Sequence, residues 1–366
     1  MRSDGESPFC LRWGILVFGR DLLFDPATRD VAGVSHALVA VASSRSDEAA
    51  RRFIAKLGAP ASCAAYGGYE GLVADPNVDA VYVASPHSHH HQNAMLAPHA
   101  GKHARRLVEA AREQGRFLME GMWTRFLPIA IQIRQHIQDG AIGPVLRMSW
   151  RGGALMDLGV YSIHWGFQAL HLLTDRRPSA ISSTTTLIAP ADVDESTTIG
   201  MTFPGNRKSP SSVLAIASAS LRATADPDGQ TPVVRIQGDR GEIQVYGAPW
   251  CPSMYRVIRR EQAFGQIGEP EEVQFAIPGG AHGLCFEADE AARCIRDGRT
   301  GSAGLPWKES LEVMDILDAV RRANGLSLDG RLTRTPNPKW LQAAAHESVR
   351  RPKSPKHQGG CRSVEA

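Results

Sequence analysis

What the chain has little of narrows it first. Its six cysteines (Cys10, Cys63, Cys251, Cys285, Cys294, Cys361) are scattered without a C-x-x-C spacing, which excludes a disulfide framework and a zinc ribbon. No apolar run approaches the length of a membrane span. A secretory signal is not apparent, because Arg12 interrupts the apolar run from Phe9 to Phe18 and no small-residue cleavage site follows. There is no excess of one charge either. Five of the 41 basic and two of the 38 acidic residues lie from His346 onward, which leaves the body balanced. A nucleic-acid binder's basic face is therefore lacking. The expectation is a soluble, cytoplasmic protein with neither nucleic acid nor membrane as partner. Residues 336–366, basic and broken by Pro352, Pro355 and Gly359-Gly360, read as a disordered tail.

The chain has 366 residues and is 43% hydrophobic, enough for two domains with packed cores. Its first third alternates short apolar runs with helical patterns, the mark of a parallel sheet wrapped by helices. Strands are expected at Leu11 to Val17, Ala37 to Ala42, Asp79 to Ala84 and Phe117 to Glu120. Helices are expected at Asp47 to Leu57, Tyr69 to Val73, Arg105 to Gln114 and Ile129 to Gln138. After about Pro144 a helix opening at Gly152-Gly153 carries Asp157, Tyr161 and Trp165. Strand-like segments follow at 180–188, 197–203, 213–221, 233–237, 242–246, 254–259 and 273–277, then helices at 284–296 and 307–322. Strands that follow a βα region indicate an α+β domain on an open, mostly antiparallel sheet. The domains are expected at 11–122 and 123–335.

Four places could carry chemistry. Gly14 and Gly19 bracket the turn after the first strand, where a doubly wound sheet seats a pyrophosphate; Val17 and Phe18 are bulky for that task, and a strand-end turn accounts for the glycines equally. At the end of the second strand, Ser44 and Arg45 stand where an acid would hold a ribose hydroxyl, so a cation awaits a 2′-phosphate and NADP is the expected cofactor; the bland reading is a helix-capping cluster. Ser85-Pro86 and the histidines His87 to His91 follow a buried strand. Adjacent ligands diverge and no acid completes a set, so a crevice-lining loop is preferred to a metal site. Last, Asp157, Tyr161 and Trp165 share one helix face, where a tyrosine can serve as general acid/base if its phenolate is stabilised. A buried helix with a satisfied hydroxyl is the alternative.

Leu11-Arg12-Trp13-Gly14-Ile15, Leu118-Met119-Glu120-Gly121-Met122-Trp123-Thr124-Arg125-Phe126 and Gly152 to Tyr161 resemble the glucose-fructose oxidoreductase / inositol dehydrogenase (Gfo/Idh/MocA) family. The branch most like it holds the dimeric dihydrodiol dehydrogenases and the fungal NADP-dependent D-xylose 1-dehydrogenases. The resemblance implies a Rossmann domain, here incomplete, followed by an α+β domain whose open sheet forms a homodimer. It implies oxidation of an aldose such as D-xylose to its lactone, or of a trans-dihydrodiol, with NADP as cofactor. Tyr161 would be the catalytic acid/base and Asp157 a substrate-orienting carboxylate. Trp123, Arg125 and Phe286 would line or support the pocket, and Arg45 would meet the NADP phosphate. Ser85, Pro86 and His90 would lie beside the nicotinamide.

The chain departs from that pattern in three places. The family's E-K-P motif is due after Gly101-Lys102-His103, yet the sequence passes straight into Ala104-Arg105-Arg106. The first helix after Gly19 is short, and a substrate-side loop before Gly152 is missing. Two readings therefore stand together: an active dehydrogenase, or a relative or shortened gene product that keeps the fold without turnover.

Overall fold

The computed structural model describes residues 8–16, 31, 33–84, 104–152, 155, 159–171, 177–188, 193–205, 211–223, 226–260, 268–277 and 282–326. Up to Leu326 the chain forms one compact unit. Its first sheet is built from β1 (Phe9–Leu16), β2 (Val34–Ala42), β3 (Ala64–Tyr66) and β4 (Ala80–Val83), with α1 (Asp47–Leu57) and α2 (Tyr69–Val73) between them. All strand pairs are parallel and the order is β3-β2-β1-β4. After β3 the chain returns to the far side of β1, and that reversal opens a crevice at the carboxyl ends of β1 and β4, where doubly wound sheets bind ligands. The expected bounds of α1 are met because both ends are capped. Ala49 N–H donates to Ser46 Oγ at 3.1 Å, and Gly58 ends the helix in the left-handed region at φ 66°.

The strand expected at Phe117 to Glu120 does not form. After α3 (Ala104–Glu113) that segment is extended, but its backbone bonds go elsewhere: Leu118 N–H donates to Thr300 O, and Leu118 O accepts from the Trp307 indole at 2.7 Å. Among the described residues β4 is thus an edge strand.

The second half opens with a 3-10 turn at Trp123–Phe126 and α4 (Pro128–Gln138), followed by β5 (Val145–Gly152) and α5 (Val160–Gly166). Then come β6 (Ala180–Ile188), β7 (Val193–Phe203), β8 (Val213–Ser220), β9 (Val234–Gly238), β10 (Gly241–Ala248), β11 (Cys251–Arg259) and β12 (Glu271–Gln274), closed by α6 (Cys285–Arg296) and α7 (Trp307–Ala323). The order is β12-β11-β10-β9-β5-β8-β7-β6, with only β5 and β8 parallel. Alternating burial along β8 and β9 leaves one face of the sheet to the core and one open. Two expectations are corrected here. Gly152 ends β5 instead of opening a helix, and α5 begins at Val160. Trp150, fully buried, explains the strand: it seats β5 in a core with Trp165, Phe167 and Phe203.

One helix binds the halves together. Ala288, Ala291 and Ala292 of α6 pack into the core of the first sheet with Leu11, Trp13, Ile15 and Val34. Beside them the Trp13 indole donates to His36 Nδ1 at 3.0 Å, and His36 Nε2 lies 2.8 Å from Asp289 Oδ1. The first bond makes Nδ1 the acceptor, so Nε2 carries the proton toward Asp289. Asp289→Ala strands that buried N–H. It is expected to lower the unfolding free energy by about 1–3 kcal/mol, read from the midpoint of a urea melt.

Candidate active site

The Trp123 indole N–H donates to the Tyr161 hydroxyl at 2.7 Å. Trp123 is nearly buried at the start of the 3-10 turn, and Tyr161 is half-buried in the first turn of α5. Around the phenol stand Trp250, its ring 6.5 Å away, and Phe286; the His282 ring lies edge-on to Trp123 at 6.3 Å. The 3-10 turn is fixed to the turn between β10 and β11 because Thr124 Oγ1 donates to Trp250 O. Four residues on, Trp165 points into the core and donates to Pro249 O. The two helix neighbours therefore divide their work between pocket and packing.

Beneath the pocket lies a buried ionic layer. Both Glu309 carboxylate oxygens lie 2.8 Å from Arg125 guanidinium nitrogens, and Arg125 Nε donates to Gly304 O. Arg125 is 1% exposed, so it supports the pocket from below and does not form its wall. Burial pulls its proton affinity down, and Glu309 restores part of it. His164, fully buried, has Nε2 3.5 Å from Glu120 Oε1. Burial raises the Glu120 carboxyl, but the His164 ring, Ser310 and Arg125 together outweigh it and hold the group below the usual carboxylate range. Glu287, on α6, is 2% exposed and neither of its oxygens has a hydrogen-bond partner. Burial pushes it up to about 8, tempered by the Tyr82 hydroxyl of β4. The same burial, with Glu287 and Tyr161 nearby, makes Tyr82 harder to ionise than a free tyrosine. Tyr161 thus lies near the carboxyl end of β4. Cys251 is no poised nucleophile, because burial pushes its thiol up to about 11.

At the other end of the crevice, Arg45 follows β2 on an exposed loop with no acidic partner among the described residues, while Ser43 Oγ accepts from its backbone N–H. A free cation among serines fits the 2′-phosphate end of a dinucleotide. Packing alone accounts for Gly14: a Cβ there would lie 2.7 Å from Leu72 Cδ2 of α2. Gly19, Ser85, Pro86, His90 and Asp157 lie outside the described residues. The structure thus brings together Tyr161, Trp123 and Phe286, sets Arg125 below them and Ser44 and Arg45 apart. Sequence reasoning missed Trp250, His282, Glu287, Glu120 and His164 as neighbours of the site. The only signal was adjacency, Glu287 following Phe286 and Glu120 preceding the Trp123 turn. Among the described residues no group of three His, Cys, Asp or Glu could hold a metal ion, and no helix is long and apolar enough to cross a membrane.

A doubly wound sheet joined to a one-faced sheet that presents a phenol at the junction is the layout of a two-domain oxidoreductase. Residues 23–122 match the oxidoreductase family with an NAD-binding Rossmann fold, GFO_IDH_MocA. D-xylose 1-dehydrogenase (NADP(+)) of Hypocrea jecorina is 38% identical, the match covering 89% of this chain and 95% of that one. Trans-1,2-dihydrobenzene-1,2-diol dehydrogenase of Macaca fuscata fuscata is 30% identical over 87% of this chain and 98% of its own. The crystal structure of aldose-aldose oxidoreductase from Caulobacter crescentus shares the fold, with a TM-score of 0.65 at 21% identity over 88% of this chain and 98% of that one. The chain belongs to the Gfo/Idh/MocA family of oxidoreductases.

Glu309→Ala leaves the Arg125 guanidinium buried without its counter-charge. Breaking such a pair is expected to cost about 3–5 kcal/mol, seen as a lower midpoint in chemical denaturation.

Proposed function

We propose that the chain is an NADP-dependent dehydrogenase that oxidises an aldose such as D-xylose to its lactone, with Tyr161 as the acid/base. The observation that carries this reading is the 2.7 Å bond from the Trp123 indole to the Tyr161 oxygen. A donor aimed at that oxygen stabilises phenolate more than phenol, and so favours the form that can take a proton. The proton comes from the sugar's anomeric hydroxyl. Arg45 and Ser44 would hold the 2′-phosphate end of the nucleotide, with Gly14, Gly19, Ser85, Pro86 and His90 along the rest of its path. The nucleotide, when bound, supplies the hydride-accepting ring. Trp123, Trp250 and Phe286 offer faces to the C–H side of a pyranose, Arg125 holds the floor, and Asp157 orients a substrate hydroxyl. The Hypocrea relative, similar over nearly all of this chain, supports both the cofactor and the substrate. The same aromatic walls suit a trans-dihydrodiol.

A second reading, a relative that keeps the fold without turnover, has its own observation. β4 is the edge of the first sheet among the described residues, and the segment at Phe117 that could have extended it bonds to Thr300. One assay separates the two. With NADP and a panel of aldoses, NADPH absorbance grows, faster than with NAD, and Tyr161→Phe slows it by roughly 10²–10⁴-fold, the usual worth of a general acid/base. Nucleotide binding without growth of absorbance favours the second reading.

The open face of the eight-stranded sheet, on which Leu214 is 45% exposed, is proposed as a homodimer interface in a cytoplasmic enzyme. Light scattering at micromolar concentration is expected to give twice the chain mass; a monomer contradicts the interface.

A further inference from the structure

His282 takes no part in the reading above, yet it belongs to a closed set of contacts around the phenol. The Trp123 ring stands nearly perpendicular to the Tyr161 ring at 6.2 Å and to the His282 ring at 6.3 Å, and the Tyr161 ring lies 6.5 Å from Trp250. Backbone bonds close the circle. Cys251, next to Trp250, donates its Sγ–H to His282 O at 3.3 Å, and Thr124, next to Trp123, donates to Trp250 O. After His282 the chain turns into α6 through Gly283, whose φ is 92° and whose added Cβ would lie 2.6 Å from Leu127 Cδ2. Only glycine takes that turn without strain and crowding, so the imidazole is held against Trp123 by a built turn.

Exposure separates His282 from the polar groups around it. Thr124 and Arg125 are buried and bonded to Trp250 O and to Glu309, Glu287 is buried, and the Trp123 N–H is given to Tyr161. His282 is exposed. Its imidazole offers two hydrogen-bonding nitrogens on one rigid ring, one aromatic neighbour away from the phenol. The two kinds of substrate that suit the aromatic walls differ in what such a group can do for them. An aldose carries hydroxyls all around its ring, far from the oxidised carbon as well as on it. In a trans-dihydrodiol both hydroxyls sit on adjacent carbons, the oxidised one among them, and the rest is an apolar diene. A hydrogen-bonding ring set apart from the acid/base has a partner on the sugar and none on the diene.

We propose that His282 is a specificity-determining residue: held exposed against Trp123, its imidazole hydrogen-bonds a sugar hydroxyl remote from the oxidised carbon, and so favours a polyhydroxylated substrate over an arene dihydrodiol. The proposal deepens the dehydrogenase reading and rests on its placing of the substrate at Trp123 and Tyr161. A contact remote from the reacting carbon is made equally before and during hydride transfer, so it acts on KM and not on kcat.

His282→Phe is the direct test, because it keeps a ring against Trp123 and removes the nitrogens. With NADP in excess, NADPH formation is followed against the concentration of D-xylose and of trans-1,2-dihydrobenzene-1,2-diol. His282→Phe is expected to raise KM for D-xylose about tenfold, the upper end of what a neutral hydrogen bond contributes, while kcat and the diol's KM stay with wild type. His282→Gln, which restores a donor and an acceptor, is expected to recover most of the loss. An unchanged KM for D-xylose overturns the proposal. So does an equal loss on both substrates, which marks a group acting through the packing of Trp123, and so does a wild type that oxidises the diol alone. If wild type oxidises only the sugar, recovery in His282→Gln supports the proposal and its failure overturns it.

A second measurement needs no turnover. Trp123 and Trp250 flank the site, so D-xylose added in the presence of NADP is read by tryptophan fluorescence. A Kd about tenfold weaker in His282→Phe than in wild type supports the proposal; equal values, or no binding to wild type, overturn it. Failure of the two assignments is distinguishable. Weaker sugar binding in His282→Phe without NADPH formation in wild type rejects the dehydrogenase reading and keeps the sugar contact, whereas NADPH formation with an unchanged KM rejects His282 alone.

Discussion

The contact on which the site depends is the seating of α6 on β1 and β2. Ala288, Ala291 and Ala292 give the helix a face without bulk, so its backbone lies close to Trp13 and Ile15, and the Trp13–His36–Asp289 chain pins it there by direction as well as by contact. Everything upstream on the helix inherits that position. Phe286 and Glu287 lie in its first turn, and Phe286 packs on the same Met122–Phe126–Leu305 cluster as Tyr161 of α5. The site is thus a junction of two cores, and its geometry follows from the packing of neither alone.

The buried charges show which effects win. Arg125 and Glu309 lie in a buried two-point contact, and there the desolvation of both ions is met by a counter-charge at 2.8 Å. Glu120 is pushed up by burial and pulled down by His164, Ser310 and Arg125 together, and the pull prevails. Among the described residues Glu287 faces the Tyr82 hydroxyl and a neighbouring acid, and burial prevails. Glu120 and Glu287 consequently shift in opposite directions, set by what each one faces.

Much of the fold was legible in the sequence because local chemistry agreed with it. The capping serine and terminal glycine of α1 fixed both of its ends, and β6 was legible to the residue from its β-rich composition and flanking turn residues. Where tertiary contacts decided, the pattern misled. Phe117 to Glu120 has strand composition, but its backbone partners are Thr300 and Trp307, more than 180 residues away. Gly152-Gly153 reads as a helix entry until Trp150 is seen to bury β5. At the site, Tyr161 stood out by residue type and spacing, and Trp123 through the family resemblance. Glu287 did not, because an acid in the first turn of a helix normally reads as a solvated partner of the helix dipole. Only the packing of α6 against the first sheet turns it into a buried one.

The departures from the family pattern bear unequally on the two halves of the work a dehydrogenase must do. The E-K-P segment absent from the sequence and the short stretch that the sequence leaves for a first helix after Gly19 both belong to the nucleotide side. The acid/base side is built by α5, the Trp123 turn and α6, none of which uses the missing strand. A neutral N–H donor to a phenolate contributes about 1.5–3 kcal/mol, on the order of one to two pH units in the ease of ionisation, so the Trp123 indole gives Tyr161 support of its own. What has no such substitute is the edge of β4, where among the described residues the sheet stops one strand after the crevice opens. The departures therefore bear on the nucleotide side of the work more than on the proton-transfer residues, because the Trp123 indole that donates to the phenol belongs to the second half of the chain.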